Sequence, residues 1–523
     1  MKNKIKNIMI LTLVFVLAGC SSGSSGTEGE VKTDVIWAIN GDQDTMDPQQ
    51  NVTNSVILPQ VYMSLLATNL DNKVSPSLAT EWSVAEDQKT WTFKLREGVK
   101  FHDGSDFNSE DVVATFDRLL NEDNGLRYTS TYSYIESVKA TSDFEVVITT
   151  KDVYGAFETD MTSPSLGIMS SDVLANLPDQ FGTDVTTIVG TGPFRVTEWI
   201  MGEEMVLESF EDYFDGAAKT KKFTLRVIPE QNAREIGLEN GEFDIASGIS
   251  PDAVARYNSG QVEGTTVSIN QGNGMHLFQF GLQGILDDVK LRQAINYGID
   301  KEAIVNALFK ENEEVAATAP VGPTVVGYQD LGVIKQDQDK ARALMKEAGK
   351  EGGFSIKLMT TNVYNKGIEM GEIIKEQLAE IDIDVEIITV EKAVFSSMFG
   401  LTKDQLDYDM FIMGAGGNSE VGKALYRIWH TEDPVDGVQY NNNNYGFYSN
   451  ARVDELLDLG AVTVDRDKAD EIYTEAMKIL WEEDPVGVFM NFRNNIYGVA
   501  TGVTGFKTNA ANTPDLLNVE VTK

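Results

Sequence analysis

A strand, a helix and a second strand follow one another between residues 354 and 390, and this order constrains the fold more than any other feature of the sequence. The apolar patterns predict a strand over 354–359, a helix over 366–380 and a strand over 384–390. Units of this βαβ type build parallel sheets that are covered by helices. The sequence therefore predicts an α/β fold.

Other parts of the chain show the same mixture of elements. Residues 91–96 alternate between apolar and polar side chains, which is the period of a strand with one buried face. Turn residues at 103–105 separate this strand from a helix that begins at Asn108. Further helices are predicted after Asp300 and over 341–348, where Gly349 provides a C-terminal stop. The sequence contains no internal repeat.

The first twenty residues have the features of an export signal. Three lysines precede an apolar run over 8–17, which is too short to span a bilayer stably. The run closes on Leu-Ala-Gly-Cys, which resembles the bacterial lipobox, where the cysteine thiol is lipidated and the chain is cut before it. We therefore expect residues 1–19 to be a lipoprotein signal peptide and Cys20 to be the lipidation site. An ordinary cleaved signal with an unrelated cysteine is the alternative.

The segment after Cys20 predicts a tether. Residues 21–26 are only serine and glycine, a composition that behaves as flexible coil, so residues 20–32 are expected to link the lipid to the folded part. Cys20 is the only cysteine, so no disulfide framework can form. Several acyl chains hold a protein on a membrane stably. The chain is therefore expected outside the cytoplasm, anchored to the cell membrane.

Charge and length restrict the class of protein further. Removal of residues 1–19 takes away three lysines and no acids, which leaves 40 basic groups (43 less 3) against 81 acidic groups, a formal net charge of −41. Nucleic acid is excluded as a partner, because phosphate binding needs clustered lysine and arginine. No later apolar stretch reaches the roughly 18 residues of a membrane span. The remaining length exceeds what one hydrophobic core serves and predicts two or more domains.

Blocks of sequence along the whole chain resemble family 5 of the ABC-transporter extracellular solute-binding proteins, the peptide- and nickel-binding family. The longest runs over 76–83 and 90–104 and continues at 110–112. Further blocks follow in the order of the family, at 45–48, 190–194, 212–214, 292–300, 340–344 and 453–457. Together they extend the resemblance over nearly all of residues 30–500.

The resemblance implies a two-lobed periplasmic-binding-protein fold of class II, cluster C type, with a two-strand hinge and a larger N-terminal lobe. On this basis residues 33–272 plus 490–523 form lobe I, with an extra subdomain at about 56–185, and residues 273–489 form lobe II. The two crossings are placed near 274–280 and 486–492. In such proteins a solute that touches both lobes stabilises the closed state, which the transporter recognises. The implied partners are a peptide or small-molecule ligand and the permease subunits of an ABC importer, and we expect a monomer.

The resemblance also implies positions for the ligand site. Dipeptide-binding members hold the ligand's ammonium with an aspartate and its carboxylate with an arginine, whereas Asn418 and Asn362 stand at those positions here. An amide cannot supply the charge that makes such contacts strong. This suits longer peptides, blocked termini or neutral polar solutes at least as well as dipeptides, with Glu420 and Lys366 close enough in sequence to substitute. The expected ligand-binding residues are Asn40, Gly41, Thr45, Met46, Asn362, Tyr364, Asn365, Gly416, Gly417, Asn418, Glu420 and Tyr445.

The run over 440–448 combines asparagines with aromatic residues and has two interpretations. It either lines a pocket for a polar ligand, or forms a surface turn whose aromatic side chains pack inward. The sequence leaves both open, with Tyr445 as the residue assigned to the ligand site.

Other chemistries find less support in the sequence. The three histidines, His102, His276 and His430, lie far apart and outside any ligand cluster, so no metal or cofactor is expected. A metal chelate, a neutral oligosaccharide, or a sensor with the same fold remain alternatives. The chain has no Gly-x-Ser-x-Gly elbow, His-Glu-x-x-His motif or P-loop, so a hydrolase is the least expected class.

Overall fold

The computed structural model describes residues 31–51, 56–176, 181–310, 313–416, 420–432, 434, 438–441, 443–509 and 512–522. The predicted signal peptide, Cys20, Gly417 and Asn418 lie outside these residues. Among the helices described, none combines the length and the apolar character that a membrane crossing requires.

Strands occur along the entire described chain. They are β1 Val31–Lys32, β2 Asp34–Ile39, β3 Leu66–Thr68, β4 Val74–Pro76, β5 Ala79–Val84, β6 Thr90–Leu95, β7 Ile135–Ser142, β8 Glu145–Thr150, β9 Phe194–Ile200, β10 Glu204–Ser209, β11 Lys222–Val227, β12 Ile245–Ser247, β13 Thr265–Phe280, β14 Glu314–Ala316, β15 Phe354–Thr361, β16 Ile383–Val390, β17 Met410–Ala415, β18 Gly487–Ala500, β19 Val503–Thr504 and β20 Glu520–Thr522.

Helices lie between them. They are α1 Leu58–Val61, α2 Ser109–Leu120, α3 Phe157–Asp160, α4 Ser171–Ala175, α5 Gln231–Glu239, α6 Pro251–Asn258, α7 Val289–Gly298, α8 Lys301–Leu308, α9 Gln338–Glu347, α10 Gly367–Ala379, α11 Lys392–Ser396, α12 Val421–Trp429, α13 Ala451–Ala461 and α14 Arg466–Lys478.

The predicted βαβ unit is confirmed. Strands β15 and β16 pair in parallel along their whole length, and α10 connects them. The predicted strand at 91–96 is β6, and the helix predicted from Asn108 is α2, where the Asn108 side chain accepts a hydrogen bond from the backbone of Glu110 at 2.7 Å. Asp300 caps α8 in the same way. Short polar side chains at helix starts satisfy backbone N–H groups that have no partner within the helix.

One sheet of eleven strands runs through both halves of the molecule. Its order is β16-β15-β17-β13-β18-β12-β2-β11-β10-β9, and β14 pairs with β18 outside that order. We call the half built on β2 and β9–β12 lobe I and the half built on β15–β17 lobe II. The long antiparallel strands β13 and β18 belong to both halves, since their pairing extends from Thr265 opposite Ala500 to Gln279 opposite Gly487. These two strands are the connection between the lobes within the sheet.

Apolar side chains gather in separate cores. The core of lobe II lies between residues 275 and 492, and the core of lobe I combines residues 35–62 and 169–225 with the C-terminal residues 497–521. A third core covers the four-stranded sheet β5-β6-β8-β7 and lies within residues 65–168. Separate cores are expected for a chain of this length.

A second contact joins lobe II to this four-stranded unit. The Asp160 carboxylate at the end of α3 accepts hydrogen bonds from the hydroxyls of Tyr134 at 2.8 Å and Tyr154 at 3.1 Å, and it forms an ion pair with Lys423 on α12. Beside it the Gly155 N–H donates to the Ala461 carbonyl at 2.8 Å. Lobe II is therefore tied to the four-stranded unit at a point outside the strands β13 and β18.

Candidate functional site

The parallel strands of lobe I end at the place where the chain crosses between the lobes. Strands β11 and β12 both pair in parallel with β2, so their carboxyl ends lie at the same edge of the sheet. Ser247, the last residue of β12, lies opposite Tyr497 of β18. This edge therefore faces toward Arg493, four residues before Tyr497 on the crossing strand.

The parallel strands of lobe II end at the same place from the other side. Strands β15 and β17 run parallel, and Ala415 at the carboxyl end of β17 lies opposite Met275 of β13. The carboxyl ends of both halves thus meet at the crossing. In open α/β sheets ligands bind in the crevice outside the carboxyl ends of the strands.

The pairing of β13 with β18 is interrupted at this crossing. Gln271 lies opposite Asn494 and Gly274 opposite Arg493, so Gly272 and Asn273 form a bulge. A Cβ atom on Gly272 would lie 2.5 Å from the Arg493 carbonyl oxygen, which only glycine avoids. The bulge turns the chain between the lobes.

A cavity of about 550 Å³ opens on the lobe I side of the crossing. Asn40, Gly41, Ser247 and Gly248 contribute polar and backbone groups from the strand ends, and the buried Trp37 donates its indole N–H to the Ser247 hydroxyl at 2.9 Å. Further lining comes from β18, at residues 493–497, and from residues 39, 42, 43, 56, 57, 225 and 512. The volume falls within the range of about 300–1,000 Å³ that is typical of small-molecule sites.

Arg493 is the cation of this cavity. Its side chain is exposed, and in the described part of the chain no carboxylate lies within ion-pair distance of it. An arginine guanidinium can bind a carboxylate through two parallel hydrogen bonds. Arg493 is not among the residues predicted from the sequence, although it is the single basic residue in the strand β18.

Aromatic side chains form the lobe II side of the crossing. We call Tyr364, Phe395, Phe399 and Tyr445 the aromatic wall. Consecutive ring centroids lie 5.6 Å (Tyr364 to Phe395), 5.4 Å (Phe395 to Phe399) and 4.9 Å (Phe399 to Tyr445) apart, with the first two pairs edge to face. The first three residues follow the carboxyl ends of β15 and β16, which places the wall at the edge that meets the crossing.

Electrostatics connect the wall to the crossing. Burial raises the pKa of the Tyr364 hydroxyl, whereas hydrogen bonding with the Gly414 backbone and the positive charge of Arg493 act in the opposite direction. The Tyr364 ring also lies edge to face with His276 of β13, at 5.4 Å. Tyr364 is therefore close to both the wall and the crossing strands.

The predicted residues of lobe I divide into two groups. Asn40 and Gly41 line the cavity, where the sequence placed them in the ligand site. Thr45 and Met46 do not line it: Met46 is fully buried in the lobe I core, and the Thr45 hydroxyl accepts a hydrogen bond from the Asp47 backbone at 3.0 Å. This arrangement gives Thr45 and Met46 a structural role and does not support ligand contact.

The predicted residues of lobe II also divide. Tyr364 and Tyr445 both belong to the aromatic wall, and Asn362 and Asn365 are exposed in the loop that carries Tyr364. Gly416 approaches the bulge, where a Cβ atom would lie 2.8 Å from the Asn273 carbonyl oxygen. These residues lie together near the crossing.

Glu420 is engaged elsewhere. Its side chain is buried, one carboxylate oxygen accepts from the Lys423 backbone at 2.9 Å as the cap of α12, and the other pairs with Arg466 at 2.8 Å. Both oxygens are occupied, so the structure does not support its predicted ligand contact. Lys366, its counterpart in the sequence analysis, pairs with Glu369 at 3.1 Å.

Within residues 440–448, the described part favours the surface turn with inward aromatics. Phe447 and Tyr448 are buried in the lobe II core. The amides of Asn441 and Asn444 are buried as well and bind backbone groups, among them the Met398 and Tyr448 carbonyls at 3.0 and 2.6 Å. These asparagines fix the loop, and Tyr445 is the partly exposed aromatic residue that it carries to the wall.

The histidines do not form a metal site in the described residues, where no group of three or more candidate ligands occurs. His102 is half-buried, and desolvation lowers its pKa to about 4. His276 is buried beside Glu314, whose carboxylate lies 3.4 Å from its Nδ1 atom. His430 stacks on Tyr426.

Comparisons with known proteins agree with one another. The family model of the bacterial extracellular solute-binding proteins, family 5 (middle), matches residues 73–436. The glutathione-binding protein GsiB of Salmonella typhi is 28% identical over 475 residues, which cover 89% of this chain and 90% of the relative.

Solved structures give the same answer for the fold. HbpA2 from Haemophilus parasuis has a TM-score of 0.81 at 23% identity and covers 94% of this chain and 100% of that one. The oligopeptide-binding protein AppA from Bacillus subtilis, solved with a nonapeptide, has a TM-score of 0.67 at 23% identity and covers 95% of this chain and 100% of that one. The expected two-lobed α/β fold is confirmed.

Proposed function

The chain belongs to the bacterial extracellular solute-binding proteins of family 5, and we propose that it captures a peptide or peptide-like solute with a free carboxylate between its two lobes. Members of this family are binding proteins of ABC importers rather than enzymes, as the sequence predicted. The solute would be handed unchanged to the permease subunits.

The observation that carries the proposal is the position of Arg493. Its guanidinium lies at the crossing, where the carboxyl ends of the parallel strands of both lobes meet, and no carboxylate of the described chain neutralises it. A solute carboxylate at this point would contact the one segment that both lobes share. It would also supply the positive charge that the family resemblance implies at the position of Asn362, where this chain has an amide.

The relatives support solutes of peptide character. GsiB is a glutathione-binding protein, and AppA was solved with a nonapeptide. Glutathione and free peptides each carry at least one carboxylate, which suits Arg493. The cavity of about 550 Å³ accommodates a molecule of this kind.

The proposal includes the division and anchoring of the chain. We propose lobe I at 33–272 plus 490–523, its extra subdomain at about 56–185, and lobe II at 273–489, with Cys20 lipidated after removal of 1–19. The separate cores support the division, because residues 275–492, 65–168 and the remaining residues of lobe I bury their side chains in different clusters. The lysines, apolar run and Leu-Ala-Gly-Cys sequence support the anchor.

Native mass spectrometry followed by fluorescence titration tests the function. We expect the purified protein to retain an organic solute of peptide-like size, and recovery of a bare metal ion alone would contradict this. Trp37 lines the cavity and reports on its occupation. Trialanine, glutathione and the amide of trialanine are titrated in parallel, and the free acids should bind at least about tenfold more tightly than the amide. Turnover of the solute, or equal affinity for acid and amide, would overturn the proposal.

A further inference from the structure

The aromatic wall has a surface that the carboxylate contact leaves unused. The side chain of Phe399 is 39% exposed, although its ring packs against Phe395 and Tyr445. Three apolar neighbours are exposed to a similar degree: Val363 and Val394, which adjoin wall residues in sequence, and Tyr440, which pairs with the segment at Thr402. Several exposed apolar side chains on the loops around one cluster of rings are typical of a binding site.

The wall is held in place rather than free to collapse. Phe395 is buried in the lobe II core, and Tyr364 lies against both Phe395 and His276. The loop that carries Tyr445 is fixed by Asn441, which binds the Leu401 and Met398 backbone at 2.6 and 3.0 Å. A rigid surface loses little conformational freedom when a ligand covers it.

One end of the wall lies near the proposed carboxylate site. Tyr364 follows β15 and its ring packs on Gly414, whose partner His276 is two residues from Gly274, the residue opposite Arg493. A solute that binds Arg493 and extends into lobe II therefore meets Tyr364 first and the rest of the wall beyond it. Aromatic groups in this position pack favourably edge to face or offset.

We propose that the aromatic wall binds a hydrophobic side chain, and preferentially an aromatic ring, of the solute whose carboxylate binds Arg493. The inference rests on the proposed function and narrows its substrate class to peptides or peptide-like acids with an apolar side chain. The side chain would cover Phe399 when it binds.

The test compares trialanine with the three tripeptides in which phenylalanine replaces one alanine. On the wild-type protein, at least one of the three should bind about tenfold or more tightly than trialanine. Phe399→Ala should weaken the phenylalanine-containing tripeptide more than trialanine and so reduce that advantage to less than about threefold, and Phe399→Leu should keep part of it. Leu459→Ala, which removes another exposed apolar side chain of lobe II, is the matched control and should change nothing.

Each other outcome contradicts the inference in a recognisable way. Equal affinity for all four tripeptides would overturn it and leave the proposed function intact. Equal weakening of all four by Phe399→Ala would mean that the wall packs against lobe I instead. If Phe399→Ala left the affinity for all four tripeptides unchanged but reduced uptake through the importer, the wall would contact the permease instead of the solute. Binding of none of the four would overturn the inference together with the proposed function.

Discussion

The two sides of the cleft lie at equivalent places in the sheet but are built from different chemistry. Lobe I presents backbone groups and short polar side chains, from Asn40 and Gly41 after β2 and from Ser247 and Gly248 after β12. Lobe II presents the aromatic wall. The comparison teaches that the strand directions fix where a solute lies, whereas the loops after the strands decide what it touches.

Charges are buried in two different ways in this molecule. In lobe I the Arg118 guanidinium pairs with Asp47 at 2.6 Å, and both side chains are nearly inaccessible. In lobe II the Lys301 ammonium is buried with a carbonyl, that of Phe489 at 3.1 Å, and the ring of Trp481 at 4.0 Å. No carboxylate of the described chain lies within ion-pair distance of Lys301. Both arrangements occur in each half, because lobe II also pairs the buried Glu420 with Arg466 and the buried Arg234 of lobe I donates to backbone carbonyls.

The largest effect is expected from the residue that belongs to neither side. Arg493→Met should weaken binding of solutes with a free carboxylate about a hundredfold, because a charge-assisted pair in the cleft is lost. Binding of the corresponding amides should change little. Arg493→Lys should restore part of the loss. Isothermal titration measures all three, and an equal loss for acids and amides would show that Arg493 supports the fold of the crossing instead.

A second change tests whether the two halves are independent in stability. Lys423→Met leaves the buried Asp160 carboxylate with only two tyrosine hydroxyls, so the free energy of unfolding should fall by about 2 kcal/mol. Asp160→Asn should lose a similar amount. The double variant should lose less than the sum of both in denaturant unfolding. Strict additivity would mean that the contact between the halves contributes nothing.

The unpaired lysine predicts a pH dependence of lobe II. Burial lowers the pKa of Lys301 to about 7, against 10.5 for an ordinary lysine. Between these values the unfolded state holds a proton that the folded state has released, so the free energy of unfolding rises with pH. Lys301→Met should therefore raise the melting temperature by several degrees at pH 6 and by less at pH 9. Lys375→Met, at an exposed position of α10, is the control, and a pH-independent gain would contradict the shifted pKa.

The smallest effect is expected on the polar side of the cleft. Asn40→Ala removes an exposed side chain whose contacts water can replace, so affinity for the solute should fall by less than about fivefold. Fluorescence of Trp37 in the same cavity measures it. A loss as large as that of Arg493→Met would reverse the comparison between the two sides.

Much of the fold could be predicted from the sequence, because its strands, helices and helix caps depend on residues that are close in sequence. The strand period at β6, the helical period of α10 and the caps Asn108 and Asp300 involve residues within a few positions of each other. Thr45 and Met46 show the limit of this reasoning. Their segment follows a strand end, as a ligand loop would, but Asp47 pairs with Arg118, which lies far along the chain.

The site was harder to predict, since burial and partners decide it. Glu420 carries a negative charge that could bind a ligand. Its ion pair with Arg466, which is distant in sequence, shows that this charge is already neutralised within the protein. Arg493 is the opposite case. Its apolar strand predicts a core position, but the residue is exposed at the bulge formed by Gly272 and Asn273. A lone basic residue in such a strand was the available signal.

The bulge at Gly272 and Asn273 also confines bending between the lobes to a few residues of the backbone. On the lobe I side of it the ladder between β13 and β18 is continuous, and on the lobe II side it has one further irregularity, between His276 and Leu277, so the lobes can turn relative to each other while the torsion angles change mainly in the peptide units between Gln271 and Gly274. Amide hydrogen exchange would then be fast at these few units and slow along the flanking ladder. Solute capture would slow exchange there and leave the interior of both lobes unaltered.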